Sequence, residues 1–91
     1  MSAIESKMAE LAARFASRAA QERKVICEAI VAGDRAIVAE RAHKLAGLAG
    51  MMGHPEITTS ALALEAAVEA GRTLEGEGQN LLDLLAAVQP G

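Results

Sequence analysis

Ala42-His43-Lys44-Leu45-Ala46-Gly47-Leu48-Ala49-Gly50-Met51-Met52-Gly53 decides how this chain folds and where its chemistry sits. Take ~100° of helical rotation per residue and set His43 at zero. Ala36, Ala39, Glu40, Ala46, Gly47 and Gly50 then fall within about 60° of the imidazole. Ile37, Val38, Leu45, Leu48, Ala49 and Met52 lie about 120° or more away. The large apolar side chains define a core-facing side, and the histidine sits opposite in a lane of alanine and glycine. Glycine inside a helix costs roughly 0.5–1 kcal/mol against alanine. Gly47 and Gly50, one and two turns beyond His43, therefore need a reason. Close approach of another macromolecule to the imidazole supplies one.

Working outward, Gly33 suits the position just past a helix end, and Asp34 suits the N-cap of a helix running from about Arg35 to Met52. Before it, residues 3–32 read as one long helix capped at Ser2 or a neighbour. Ile4, Met8, Leu11, Phe15, Ala19, Ile26 and Ala29 stay within about 60° of one line, with Glu22 the one polar residue on it. The phase does not slip, so no break is expected. Phe15, the only aromatic residue, reads as a core plug. Arg41 falls on the core-facing side of the second helix and needs a carboxylate or a route to solvent.

Beyond the stretch, Gly53 ends the second helix. His54 can cap a third, with Pro55 at its first position, where a missing N–H is harmless. That helix runs to about Ala70 with Ile57, Ala61, Leu64 and Val68 on one face. Gly71, Gly76 and Gly78 mark residues 71–78 as a loop. A fourth helix is expected from about Gln79 to Val88, burying Leu81, Leu84, Leu85 and Val88. Four helices with short connections imply an all-α, antiparallel up-down four-helix bundle, one domain over residues 1–91. Their apolar stripes can satisfy one another, so a monomer with a small exposed apolar patch is expected.

Composition narrows the function classes. The chain has 91 residues, 52% hydrophobic but only 1% aromatic. It can bury a modest core and has no room for a separate catalytic domain. The net charge of −3, without a basic run or base-stacking aromatics, argues against nucleic-acid binding. One cysteine, Cys27, allows no internal disulfide and weakly favours a reducing compartment. No stretch is long and apolar enough to span a bilayer. No apolar signal core follows Glu5 and Glu10, so the cytoplasm is the expected location. No phosphate-binding loop, nucleophile elbow or Cys/His cluster is present. His43 and His54 lie ~16 Å apart along the helix, too far to chelate one metal.

The hairpin between helices two and three gives His43 a neighbour. It turns around His54, with His43 eleven residues before it and Glu65 eleven after it. Equal rises of ~1.5 Å per residue bring the two to one height. Glu65 sits at the edge of its helix's apolar face, where a carboxylate can accept from imidazole Nδ1–H and leave the Nε2 lone pair facing out. From the residue pattern alone, a lone helical histidine is more often a structural or solvated residue, and Glu65 fits a solvated helix position as well as it fits this role.

Ala42, His43, Leu45, Gly47 and Gly53 resemble the signature of the histidine-containing phosphotransfer (HPt) domain, Ala-His-x-Leu-Lys-Gly with a later helix-ending glycine. The resemblance extends to Ala32-Gly33-Asp34 and Leu64-Glu65 and covers nearly the whole chain. It implies a four-helix bundle that relays phosphate in two-component systems. His43 would be the phosphoacceptor, and Glu65 would orient its imidazole. The expected partners are response-regulator receiver domains, a hybrid histidine kinase, or both. Such a protein is a phosphocarrier with a covalent phosphohistidine, not an enzyme with its own substrate. It needs no cofactor of its own, Mg2+ being expected on the receiver. The family's lysine three residues after the histidine is Ala46 here. Lys44, about 100° around the helix from His43, is the remaining candidate for phosphate or partner electrostatics. Ala39, Glu40, Ala46, Gly47 and Gly50 are expected to meet the partner. The alternative is a non-phosphorylated helical adaptor docking signalling partners through the His43, Gly47 and Gly50 face.

Overall fold

In the computed structural model, which describes residues 2–90, the Ser2 hydroxyl accepts from the Glu5 backbone N–H at 3.2 Å. This cap, worth about 1 kcal/mol, opens α1, Ala3–Ala32. The helix is unbroken, as its unslipped apolar phase requires. Gly33, at φ +73°, closes it by letting the Asp34 N–H reach the Ala29 carbonyl at 2.9 Å. That closure needs a left-handed residue, which glycine adopts without Cβ strain. The Asp34 carboxylate accepts from the Ile37 N–H at 3.2 Å and starts α2, Arg35–Met51. Gly53 repeats the closure at φ +81°, with the His54 N–H on the Ala49 carbonyl at 2.9 Å. His54 then precedes α3, Pro55–Glu69, but its side chain caps nothing. Its Nδ1 lies 3.4 Å from Glu56 Oε1 instead.

The fourth helix departs from expectation. α4 spans Glu75–Ala86, so it begins inside the stretch expected as a loop over residues 71–78. Gly78 is buried within it, and a Cβ there would stand 2.8 Å from the Ile30 Cδ1 atom. That glycine marks a close crossing of α4 over α1, not a chain reversal. Glu75 and Glu77 in the first turn favour the positive end of the helix dipole.

Each helix packs on its chain neighbours, and α4 returns to α1, closing a four-membered ring. Cross-contacts run antiparallel. On α2 and α3, Arg35 reaches the carbonyls of Ala67 and Val68, while Ala46 meets Thr58. On α1 and α4, Arg23 Nε donates to the Leu82 carbonyl, and Ile30 meets Gly78. Ile26, Val38, Leu45, Ile57, Leu64 and Leu81 are fully buried, each contributing about 1.5–3 kcal/mol. Ala19, Ala42, Ala49, Ala61 and Ala67 fill the space between them.

Two findings revise the reading of α1. Glu22 is buried, and its Oε2 accepts from Arg18 Nε at 2.9 Å and Arg41 Nη1 at 3.2 Å. The core-side Arg41 thus finds its carboxylate across the α1–α2 interface. The apolar line of α1 is also not fully covered. Phe15 is buried with its ring stacked on His54, centroids 4.7 Å apart, level with the α2–α3 turn. Ile4 and Met8 lie beyond that turn and are 73% and 64% exposed. The expectation of a small exposed apolar patch fails there because the other helices are shorter. Thirty residues in α1 face 17, 15 and 12 in α2, α3 and α4.

Candidate functional site

α2 lies between α1 and α3, so its exposed ridge is the only side left for His43. The imidazole side chain is 71% exposed. Glu65 of α3 stands beside it, with Oε2 3.1 Å and Oε1 3.2 Å from His43 Nδ1. A carboxylate can only accept, so Nδ1–H donates to it and Nε2 carries the free lone pair. Nε2 makes no hydrogen bond among the described residues. The Glu65 side chain is 20% exposed, enough shielding to strengthen the bond without isolating a charge.

The other expected site residues separate. Gly47 is exposed, and a Cβ built on it would meet nothing within 4 Å, so open space lies one turn from the imidazole. Gly50 is exposed too, but its Cβ would stand 3.4 Å from Thr58 Oγ1, beside α3. Glu40 is exposed and 3.5 Å from Lys44 Nζ, so the lysine charge is partly answered before any partner arrives. Ala39 is half-buried.

Ala46, expected to meet the partner, is buried. It is 4% exposed, and its carbonyl accepts from the Thr58 hydroxyl at 2.8 Å. A wheel centred on His43 places Ala46 in the small-residue lane, but α3 occupies that flank of the helix. The family's lysine position therefore carries neither charge nor access here. Leu62 was not singled out from the sequence. It is 47% exposed on α3, one turn before Glu65 and about 60° around from it. Its signal was present as an apolar residue off the Ile57–Leu64 face.

No group of three or more His, Cys, Asp or Glu residues is placed to hold a metal ion among the described residues. No helix among them is long and apolar enough to cross a membrane.

These features define a class: a four-helix bundle bearing one solvent-facing histidine whose ring is held by a carboxylate of the adjacent helix. Residues 10–90 match the family model described as the Hpt domain. The chain belongs to the Hpt domain family, which gives it a phosphorelay-related role in two-component signalling and receiver domains or kinases as partners. Comparison with curated proteins and with solved structures yields no significant match.

Proposed function

We propose that His43 accepts and donates a phosphoryl group in exchange with receiver-domain aspartates. The observation that carries this is the Nδ1–Glu65 contact at 3.1 Å on a mostly exposed ring whose Nε2 makes no hydrogen bond among the described residues. The Nε2 lone pair attacks the phosphorus of an aspartyl phosphate in line. The N–P bond forms as the P–O bond to the aspartate breaks, and the aspartate leaves as carboxylate. The imidazole gains positive charge, which the Glu65 carboxylate meets through the Nδ1 proton it already holds. Transfer in the other direction reverses each step.

The protein's own share is an oriented nucleophile and a surface that admits the receiver. Gly47 leaves room for receiver loops beside the ring. Lys44, the residue after His43, is the candidate to meet the phosphoryl oxygens or an acidic partner face. The divalent metal, Mg2+, belongs to the receiver. The carrier works as a cytoplasmic monomer and does not turn over a small-molecule substrate.

The test charges a receiver domain with labelled acetyl phosphate and mixes it with the chain. The expected product is an acid-labile, base-stable phosphoryl group, located at Nε2 of His43 by nitrogen–phosphorus coupling. Stable binding of the receiver with no label would establish the adaptor alternative. Label on any other residue would move the site.

A further inference from the structure

Among the described residues, Glu22 is the only charged residue that is buried. Its Oε2 accepts from Arg18 Nε of the same helix and from Arg41 Nη1 of α2. Glu22 Oε1 and Arg41 Nε are buried as well, and neither finds a hydrogen-bond partner among the described residues. A buried ion pair left partly unsatisfied is a poor source of stability, because removing the charges from water offsets most of their attraction. Such a pair is better suited to selecting one structure over its alternatives.

The alternative open to this chain is the hand of the bundle, since four antiparallel helices can wind either way with the same neighbours. On α2, Val38, Ala42, Leu45 and Ala49 form the buried strip. Arg41 borders it on one edge and Ala46 on the other, about 160° and about 60° from His43 in opposite directions. α1 lies along the Arg41 edge, and α3 lies along the Ala46 edge, where Thr58 bonds the Ala46 carbonyl. Glu65 follows Thr58 by two turns, about 20° around α3, and so meets the imidazole from the same flank. In the opposite hand α1 and α3 exchange edges. Glu65 would turn towards α4, and His43 would stand beside α1 without its carboxylate. Apolar packing does little to choose, because Ala19, Ala42, Ala46, Ala49, Ala61 and Ala67 are all buried and alanines lack the large-into-small interlock that makes one arrangement unique. The charges do choose. α3 and α4 contain no Lys or Arg, so Arg41 is the core-side cation that α1 can meet. Arg18 shares α1 with Glu22 and would follow it into either hand. In the opposite hand Arg41, thirteen residues before His54, would stand level with Ala67, thirteen after it. It would face the Ala63 side of α3, which offers no carboxylate at that height.

We infer that Glu22 and Arg41 are positioning residues: their contact selects the hand of the bundle, and with it the flank from which α3 presents Glu65 to His43. They act on the imidazole through the placement of two helices and touch neither the ring nor anything that reacts with it. The inference concerns how the site is assembled and stands whether or not phosphate reaches His43. It also gives a reason for a carboxylate on the apolar line of α1, where a leucine would bury more apolar surface.

The test replaces the pair by leucines in the full chain, Glu22→Leu with Arg41→Leu, and follows the imidazole of His43 by nitrogen-edited magnetic resonance. A nitroxide on Cys27, the only cysteine and an exposed residue of α1, reports which flank of α2 that helix occupies. The double variant should resist urea at least as well as the wild type. Its His43 ring should give two sets of resonances. The major set keeps the Nδ1–H tautomer that Glu65 holds. The second, on the order of a tenth of the intensity, loses that tautomer and is strongly broadened by the nitroxide, because α1 has moved to the His43 flank. The wild type and the conservative Arg41→Lys, which keeps a cation for Glu22, should each give one set. A single set with the wild-type tautomer in the double variant would overturn the inference and leave the hand to the turns at Gly33 and Gly53. So would a second set that the nitroxide does not broaden, since α1 would not have changed flank. Splitting in Arg41→Lys would sink it too, because the charge would be present and not choosing. Unfolding of the double variant would do the same, because the pair would then hold the bundle together instead of selecting its hand.

Discussion

The molecule's two histidines make similar first contacts in different surroundings. His43 Nδ1 is 3.1 Å from Glu65 Oε2, and His54 Nδ1 is 3.4 Å from Glu56 Oε1. The carboxylate differs in reach: Glu65 comes from the neighbouring helix, whereas Glu56 is two residues along the same chain. The ring differs more. His54 is 32% exposed and lies stacked on Phe15, so its faces serve packing. His43 is 71% exposed and no ring contact involves it among the described residues. A carboxylate beside an imidazole is thus a poor marker of chemistry by itself. A tertiary carboxylate beside a mostly exposed ring is the stronger one.

Replacing His43 puts the most weight on that contrast. His43→Gln should abolish phosphoryl uptake, because an amide has no nucleophilic nitrogen. It should change stability by no more than about 0.5 kcal/mol, as expected of a mostly exposed position. Labelling and urea unfolding of the same preparation check both halves. Retained label in this variant would end the distinction between the two rings.

Gly47→Leu comes next. The new side chain enters open space, and leucine is the better helix former, so the free protein should gain roughly 0.5–1 kcal/mol. If receiver loops enter beside the ring as proposed, the same side chain would occupy their room, and transfer should fall on the order of a hundredfold through lost docking. Transfer at the wild-type rate would show that the partner approaches from elsewhere. Glu65→Ala should be milder. The ring would still react, but its tautomer and rotamer would no longer be held. A hydrogen bond to a charged group is worth about 1.5–3 kcal/mol, so a slowing of roughly tenfold or more is expected in single-turnover transfer at saturating receiver.

Much of this arrangement was legible in the residues, for stated reasons. The height match of His43 and Glu65 needs only the position of the turn, because rise per residue is fixed. The ends of α1 and α2 followed from Gly33, Asp34 and Gly53, whose backbone preferences are local. What escaped was tertiary. A wheel around α2 ranks Ala46 by angle from His43 but does not say which flank α3 covers. Gly78 reads as a loop residue until Ile30 is known to lie against it. Arg41 announced a need for a carboxylate, yet Glu22 could be named only once α1 and α2 were set in register. The bare end of α1 follows from comparing helix lengths: one apolar line outlasts the helices that cover it.

His54→Gln is the smallest expected effect on transfer and the sharpest control. The ring is three turns from His43 and sits in the α2–α3 turn, so it cannot share the phosphoryl group, and transfer should stay at the wild-type rate. Its cost should appear in the fold. Stacked aromatic pairs contribute about 0.5–1.5 kcal/mol beyond the area they bury, and glutamine cannot replace the face that covers Phe15. The variant should therefore lose about 1 kcal/mol in urea unfolding, more than His43→Gln loses. The two substitutions remove the same side chain and should give opposite signatures, one in transfer and the other in stability. If His54→Gln slowed transfer while leaving stability untouched, the division between a packing ring and a reacting ring would be the wrong way round.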